Sequence, residues 1–178
     1  MGASMYGAGV EYALHSLLIL ASHPEPVSVS DLATYQGIPE RFLAKLFTRL
    51  KHARLVKATE GIAGGFTLAR APEAIDVMAV VRAVDPGRFR VACAEIRGNC
   101  ARFGPAPPEW AVSGPCRIHA FMAEAEGQLQ AFLASKTLAE LLCEYSCKAP
   151  RSFAQEAEGW FRDRLRERAP RQILARAR

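Results

Sequence analysis

Residues 91–100, VACAEIRGNC, place Cys93 and Cys100 in one short stretch, and GPCRIH adds Cys116 with His119 three residues further on. Thiolates and imidazoles are the donors that borderline and soft metals take. Three cysteines and a histidine suffice for a closed zinc site, and imidazole also replaces thiolate in some iron–sulfur centres. Buried thiols and a disulfide framework are the other readings. The chain holds five cysteines, an odd number. Its start, MGASMYGAGVEYALHSLLILA, reads as a folded helix and not a secretion signal, because no basic residue precedes the apolar run and Glu11 and His15 interrupt it. The expected compartment is therefore the reducing cytoplasm, where clustered cysteines serve metal or redox chemistry more often than disulfides. Cys143 and Cys147, one helical turn apart and beyond this cluster, read as packing residues.

The other group with chemical meaning is basic. Arg41, Lys45, Arg49, Lys51, Arg54 and Lys57 fall within residues 41–57, which contain no acidic residue. Residues 148–178 carry nine Lys or Arg against four Asp or Glu, so they account for the net charge of +5 and the remainder is balanced. A basic stripe inside an otherwise neutral domain points to a placed contact with a polyanion.

These residues need elements to hold them. Val10, Leu14, Leu17 and Leu18 give a helix over 9–21, broken by the HPEP of residues 23–26. Ser28 or Ser30 caps a short second helix over 31–35 that Gly37 ends. A third helix follows with Pro39 in its first turn. Phe42, Leu43, Leu46, Phe47 and Leu50 form its inward face, while Arg41, Lys45 and Arg49 recur four apart on another. Residues 55–59 and 66–69 read as strands of a hairpin turning through Gly61, Gly64 and Gly65. Three helices and such a hairpin describe a winged helix-turn-helix.

Beyond it come a helix over 72–84, a proline-rich loop holding the first cysteines, and a long helix from Arg117 to about Leu133. That helix has little of its own chain left to cover, so it is expected to pair with a second copy in a twofold homodimer. Thr137 caps a short helix after it. The tail suits either a solvated helix or a frayed basic segment, with Trp160, Phe161 and Leu165 docking loosely.

The expected class is mainly α with a small β-hairpin wing, a winged helix-turn-helix plus a long dimerisation helix. The expected division is a DNA-binding domain at 6–85, a cysteine-containing sensor loop at 86–116, the dimerisation helix and following short helix at 117–147, and a basic tail at 148–178. No apolar run approaches the roughly 20 residues that span a bilayer, so no membrane partner is expected. Nucleotide-binding, zinc-protease and nucleophile-elbow motifs are absent, and no nucleophile, base and orienting carboxylate form a set, so the chain does not read as an enzyme.

The order YALHSLLILA, VSVSDLATYQGIPERFLAKLFTRLKHARLV, GIAGGFTLAR, IDVMAVVRAVD, spaced cysteines and KTLAELL resembles the Rrf2 family of bacterial transcription regulators over roughly residues 6–142. The GGFTLAR wing is the most specific part. The resemblance implies a homodimeric repressor on double-stranded DNA with a palindromic operator, its third helix in the major groove and its wing at the minor groove. Ser30, Pro39, Glu40, Arg41, Lys45, Arg49 and Lys51, with Gly64 and Gly65 in the wing, are the implied DNA-facing positions. Two departures stand out. Glu60 and Ala63 occupy the places before the wing glycines where the family often has basic residues. Fifteen residues separate Cys100 from Cys116, where cluster-binding members bring the last two cysteines close together.

Several branches of that family hold an iron–sulfur cluster. The resemblance therefore implies a 2Fe-2S centre, with zinc or no metal as the alternative. One ligand set is Cys93, Cys100, Cys116 and His119. The other joins two of the cysteines, across the dimer, to Glu11 and His15, which lie four apart on one face of the first helix. Cys116 belongs to both.

Overall fold

The computed structural model describes residues 6–61, 63–87 and 96–176. Helix α1 (Ala8–Ser22) is apolar on most sides and buries Val10, Ala13, Leu17 and Leu20. A helix of that kind must be enclosed, and the third, fourth and seventh helices pack around it.

Helix α2 (Val29–Gln36) starts earlier than the expected 31 because Ser28, not Ser30, is its N-cap. The Ser28 oxygen accepts from the Asp31 backbone N–H at 3.1 Å, and its hydroxyl donates to the Asp31 carboxylate at 2.7 Å. Gly37 ends the helix at φ 66°, a left-handed conformation that a side chain disfavours. Ile38 and Pro39 then lead into α3 (Glu40–His52), where Leu43, Leu46, Phe47 and Leu50 are buried. Phe42, expected on that inward face, is 42% exposed, with its ring edge-on to Tyr12.

Strands β1 (Val56–Thr59) and β2 (Gly65–Leu68) pair antiparallel with Val56 opposite Leu68 and Thr59 opposite Gly65. Val27 adds a single bridge to the outer edge through Phe66, with N–H to O distances of 3.0 and 2.8 Å. This explains the glycine pair. A Cβ at Gly65 would stand 2.5 Å from the Val27 carbonyl, and one at Gly64 would stand 2.8 Å from the Gly61 oxygen. The backbones approach too closely for any side chain.

The helix expected over 72–84 is split. Pro72–Ala74 forms one 3-10 turn, and α4 (Val77–Val84) restarts at Asp76, whose carboxylate accepts from the Ala79 N–H at 2.7 Å. The break has a distant cause: Val77 N–H donates to Lys136 at 2.9 Å, and Leu138 N–H donates to Ile75 at 2.8 Å. This bridge pins the later helices to the segment between the 3-10 turn and α4.

After a short helix α5 (Glu109–Val112) come α6 (Arg117–Ala134) and α7 (Leu138–Lys148). Thr137 and Glu140 form a reciprocal capping box at the start of α7, which lies against α1. Hydrogen bonds from Thr137 hold the Glu140 carboxyl below its ordinary range.

Helix α8 (Arg151–Arg176) folds back over α1 and α2. Phe161 is buried against His23 and Tyr35, with ring centroids 5.0 and 4.9 Å away. Arg164 and Arg168 reach the buried Asp31 of α2. This part of the chain is a docked helix, because its aromatic pair and its arginines find partners on α2. Among the described residues, no helix is long and apolar enough to cross a membrane.

Candidate nucleic-acid interface and the cysteine region

The buried leucines of α3 fix its rotation, which leaves Arg41, Lys45 and Lys51 exposed. Among the described residues, none of these three side chains has a hydrogen bond or ion pair, so their charges are available to an external anion. Arg49 is differently placed. Its guanidinium donates to the Val84 carbonyl at 2.6 Å, satisfying an orphan oxygen at the C-terminal end of α4. Cations are favoured at that end of a helix.

Glu40 occupies the first turn of α3, where the helix dipole favours a carboxylate. It accepts the Ser30 hydroxyl at 3.0 Å, which links α2 to α3 across the turn at Gly37–Pro39. In the wing, Lys57 and Glu60 are exposed and Gly64 and Gly65 are half-buried. The exposed Arg70, just past β2, donates to the Ala53 carbonyl at 3.3 Å. A helix with cations one turn apart on its exposed face, beside a hairpin, has the shape and charge to enter a major groove and touch phosphates.

The cysteine region is arranged otherwise than expected. Cys93 lies outside the described residues. Cys100 is exposed, and Cys116 is half-buried as the N-cap of α6, with His119 one turn on. His119 Nδ1 is shielded and has no hydrogen-bond partner among the described residues. Glu11 and His15 are both exposed on α1. Among the described residues, no three of His, Cys, Asp or Glu come together to hold a metal ion. The expectation of an iron–sulfur centre is therefore overturned. Both ligand sets need donors that converge, and the donors described here are dispersed.

The intervening loop supplies the reason. Arg97 donates to the carbonyls of Ser113 and Gly114 at 3.4 and 3.1 Å, and Phe103 meets Trp110 edge-on at 5.6 Å. These contacts organise the loop about itself, with Cys100 facing out. Cys143 and Cys147 are free and exposed on α7, so the reading of them as packing residues is also corrected.

Two features escaped the sequence. Asp31 reads as an ordinary first-turn acid until the arginines of α8 are seen above it. Arg49 shares the four-residue spacing of Arg41 and Lys45, and periodicity alone does not separate it from them. The remoteness of Val84 in sequence left no local signal.

The family model described as Rrf2, "Iron-dependent Transcriptional regulator", matches residues 6–144. The HTH-type transcriptional regulator IscR of Erwinia tasmaniensis is 33% identical over 133 residues, covering 74% of each chain. The corresponding IscR of Yersinia pestis is 32% identical over the same length. Among solved structures, CymR, the global cysteine regulator of B. subtilis, aligns with a TM-score of 0.61 at 22% identity, over 78% of this chain and 96% of that one. IscR of T. potens aligns with a TM-score of 0.61 at 23% identity, over 82% and 92% respectively. These two structures share the fold.

Proposed function

The chain belongs to the Rrf2 family of transcriptional regulators, and from that membership we propose that it is a homodimeric, sequence-specific binder of double-stranded DNA that represses transcription from its operator. Family members of this kind regulate and do not catalyse. The observation that carries the DNA reading is the exposed, unpaired set Arg41, Lys45 and Lys51 on a helix whose other face is locked into the core. In this reading α3 enters the major groove. Ser30, Pro39 and Glu40 sit at the groove entry, and the wing lies alongside with Gly64 and Gly65 holding its shape.

The dimer reading is supported by α6, which buries none of its residues within the chain. Ile118, Phe121, Met122 and Phe132 are exposed on it, at 77%, 68%, 45% and 64%. Apolar side chains so placed mark a surface that a second copy covers. Twofold symmetry then requires an inverted-repeat operator with half-sites roughly 34 Å apart or a multiple of that.

Selection from random-sequence DNA, followed by footprinting, tests the proposal. An inverted repeat is the expected product, with affinity that falls steeply as salt rises because phosphate contacts release counterions. Failure to enrich any sequence, with no retention of DNA at low salt, would instead favour a protein-interaction module. The exposed Glu60 at the wing tip is the feature that points that way.

A further inference from the structure

A cavity of about 460 Å³ opens between α1, α2, α7 and α8. Small-molecule sites typically enclose about 300–1,000 Å³. We propose that this cavity binds a small effector with a flat apolar body, neutral or cationic, bearing at least one hydrogen-bonding group, and that its occupancy alters DNA affinity. The second clause rests on the DNA-binding reading above.

The walls specify the ligand. Leu18 and Ile19 of α1, Leu142 of α7 and Phe153 and Phe161 of α8 supply apolar surface. The rings of Tyr35, Tyr145, Phe153 and Phe161 all line the space and suit a flat molecule. His15, Tyr35 and Tyr145 also line the space, and none of them has a hydrogen-bond partner within the described residues. They are free to orient a polar group. His23 also lines the space, and burial lowers its pKa below the ordinary value, partly offset by Glu158 and Glu25. Among the described residues, the lining contains the Glu158 carboxylate, paired with Arg162 outside the lining, and neither lysine nor arginine. An anion entering would shed hydration and find no cation in the wall.

The site is a product of α8. Phe153, Ala154, Gln155, Ala157, Glu158 and Phe161 all come from that helix, beyond the residues 6–144 that match the family. Two connections lead from it to the DNA-reading helix. Tyr35 and Gln36 line the cavity and stand directly before the Gly37–Pro39 turn into α3. Phe161 lines it too, and one and two turns later Arg164 and Arg168 grip Asp31 in the first turn of α2. A ligand that moves α8 therefore acts on the helix preceding the DNA-reading one. Linkage then requires that DNA binding alter ligand affinity by the same factor.

Two fluorescent probes that share one body test the site on the full-length protein. N-phenyl-1-naphthylamine is neutral, and 1-anilinonaphthalene-8-sulfonate adds a sulfonate. The neutral probe should bind saturably, one per chain, quenching Trp160. The sulfonate should bind about ten-fold more weakly, since its charge is left uncompensated. A154W, which fills the cavity from α8, should abolish probe binding while the melting curve stays cooperative. S146W fills it from α7 and serves the same purpose should A154W fail to fold. Equal binding of both probes, or probe binding unchanged in a folded blocking variant, overturns the site. Unaltered operator affinity at saturating probe overturns its regulatory role. Probe binding without any DNA binding would defeat the DNA reading and leave the cavity site standing.

Discussion

Arg168 Nη2 lies 3.0 Å from Asp31 Oδ2, tying α8 to the first turn of α2. Arg164 Nε stands 3.4 Å from the other carboxylate oxygen, and the Ser28 hydroxyl donates to Oδ2 at 2.7 Å. Asp31 is 1% exposed. A carboxylate so deeply buried is tolerable only with its partners in place. D31N keeps the shape and removes the charge, leaving Arg168 without a counterion among the described residues and Arg164 with Glu167 alone. It should destabilise the fold by roughly 1–3 kcal/mol, at the lower end of buried-pair losses because both arginines retain some contact with water. Chemical denaturation checks this. An unchanged midpoint would show that α8 is not held there in solution.

Arg41, Lys45 and Arg49 share a spacing but not a setting, since only Arg49 has a hydrogen bond among the described residues. R41A and K45A should each reduce the slope of log affinity against log salt by about one and leave stability within about 0.5 kcal/mol. R49A should cost about 1 kcal/mol through loss of its bond to Val84. Affinity titrations at several salt concentrations, paired with melts, separate the two behaviours. An R49A protein of full stability would refute the structural role.

Gly65 should tolerate no side chain. G65A places a methyl group 2.5 Å from the Val27 carbonyl and must break the Val27–Phe66 bridge. A loss of about 1–3 kcal/mol is expected from such overpacking. Wing amides should then exchange with deuterium faster than those of α1.

His23 gives a pH signature. Its folded-state pKa lies below the ordinary histidine value, chiefly through burial, with Glu158 and Glu25 opposing that shift and Arg162 reinforcing it. The unfolded chain therefore takes up a proton first as pH falls. The stability contribution is fully present above about pH 6.5 and declines as pH falls toward the folded-state value. H23Q should flatten that part of the profile. Melts of both proteins between pH 5 and 8, about the range of histidine titration, provide the check, and a wild-type stability that rises on acidification there would contradict it.

The face of α6 predicts a fifth class of variant. F121E places a charge on a ring that is 68% exposed in the single chain. It should shift sedimentation from dimer to monomer with little change in helical content. A dimer that survives F121E together with I118E would place the interface elsewhere.

Much of the fold was legible from neighbouring residues. The apolar spacing of α1 and α3, the serine at the start of α2, the glycine at its end and the paired glycines of the wing report on hydrogen bonds and contacts made within a few residues. Such features are set by local backbone geometry, so order and type of the elements follow from the sequence. What required tertiary structure depends on residues far apart in the chain. The 72–84 segment breaks at Asp76 because Lys136 and Leu138 bridge to it. Arg49 donates to the Val84 carbonyl, a partner 35 residues away that its spacing from Arg41 and Lys45 does not reveal. The cysteines and histidines of suggestive spacing do not converge among the described residues, because a loop closed by Arg97 and by Phe103 against Trp110 holds Cys100 outward. Helix α8 docks because Asp31, more than a hundred residues earlier, lies buried where two of its arginines arrive. Spacing along a chain measures proximity only within one element, and convergence between elements is decided by packing.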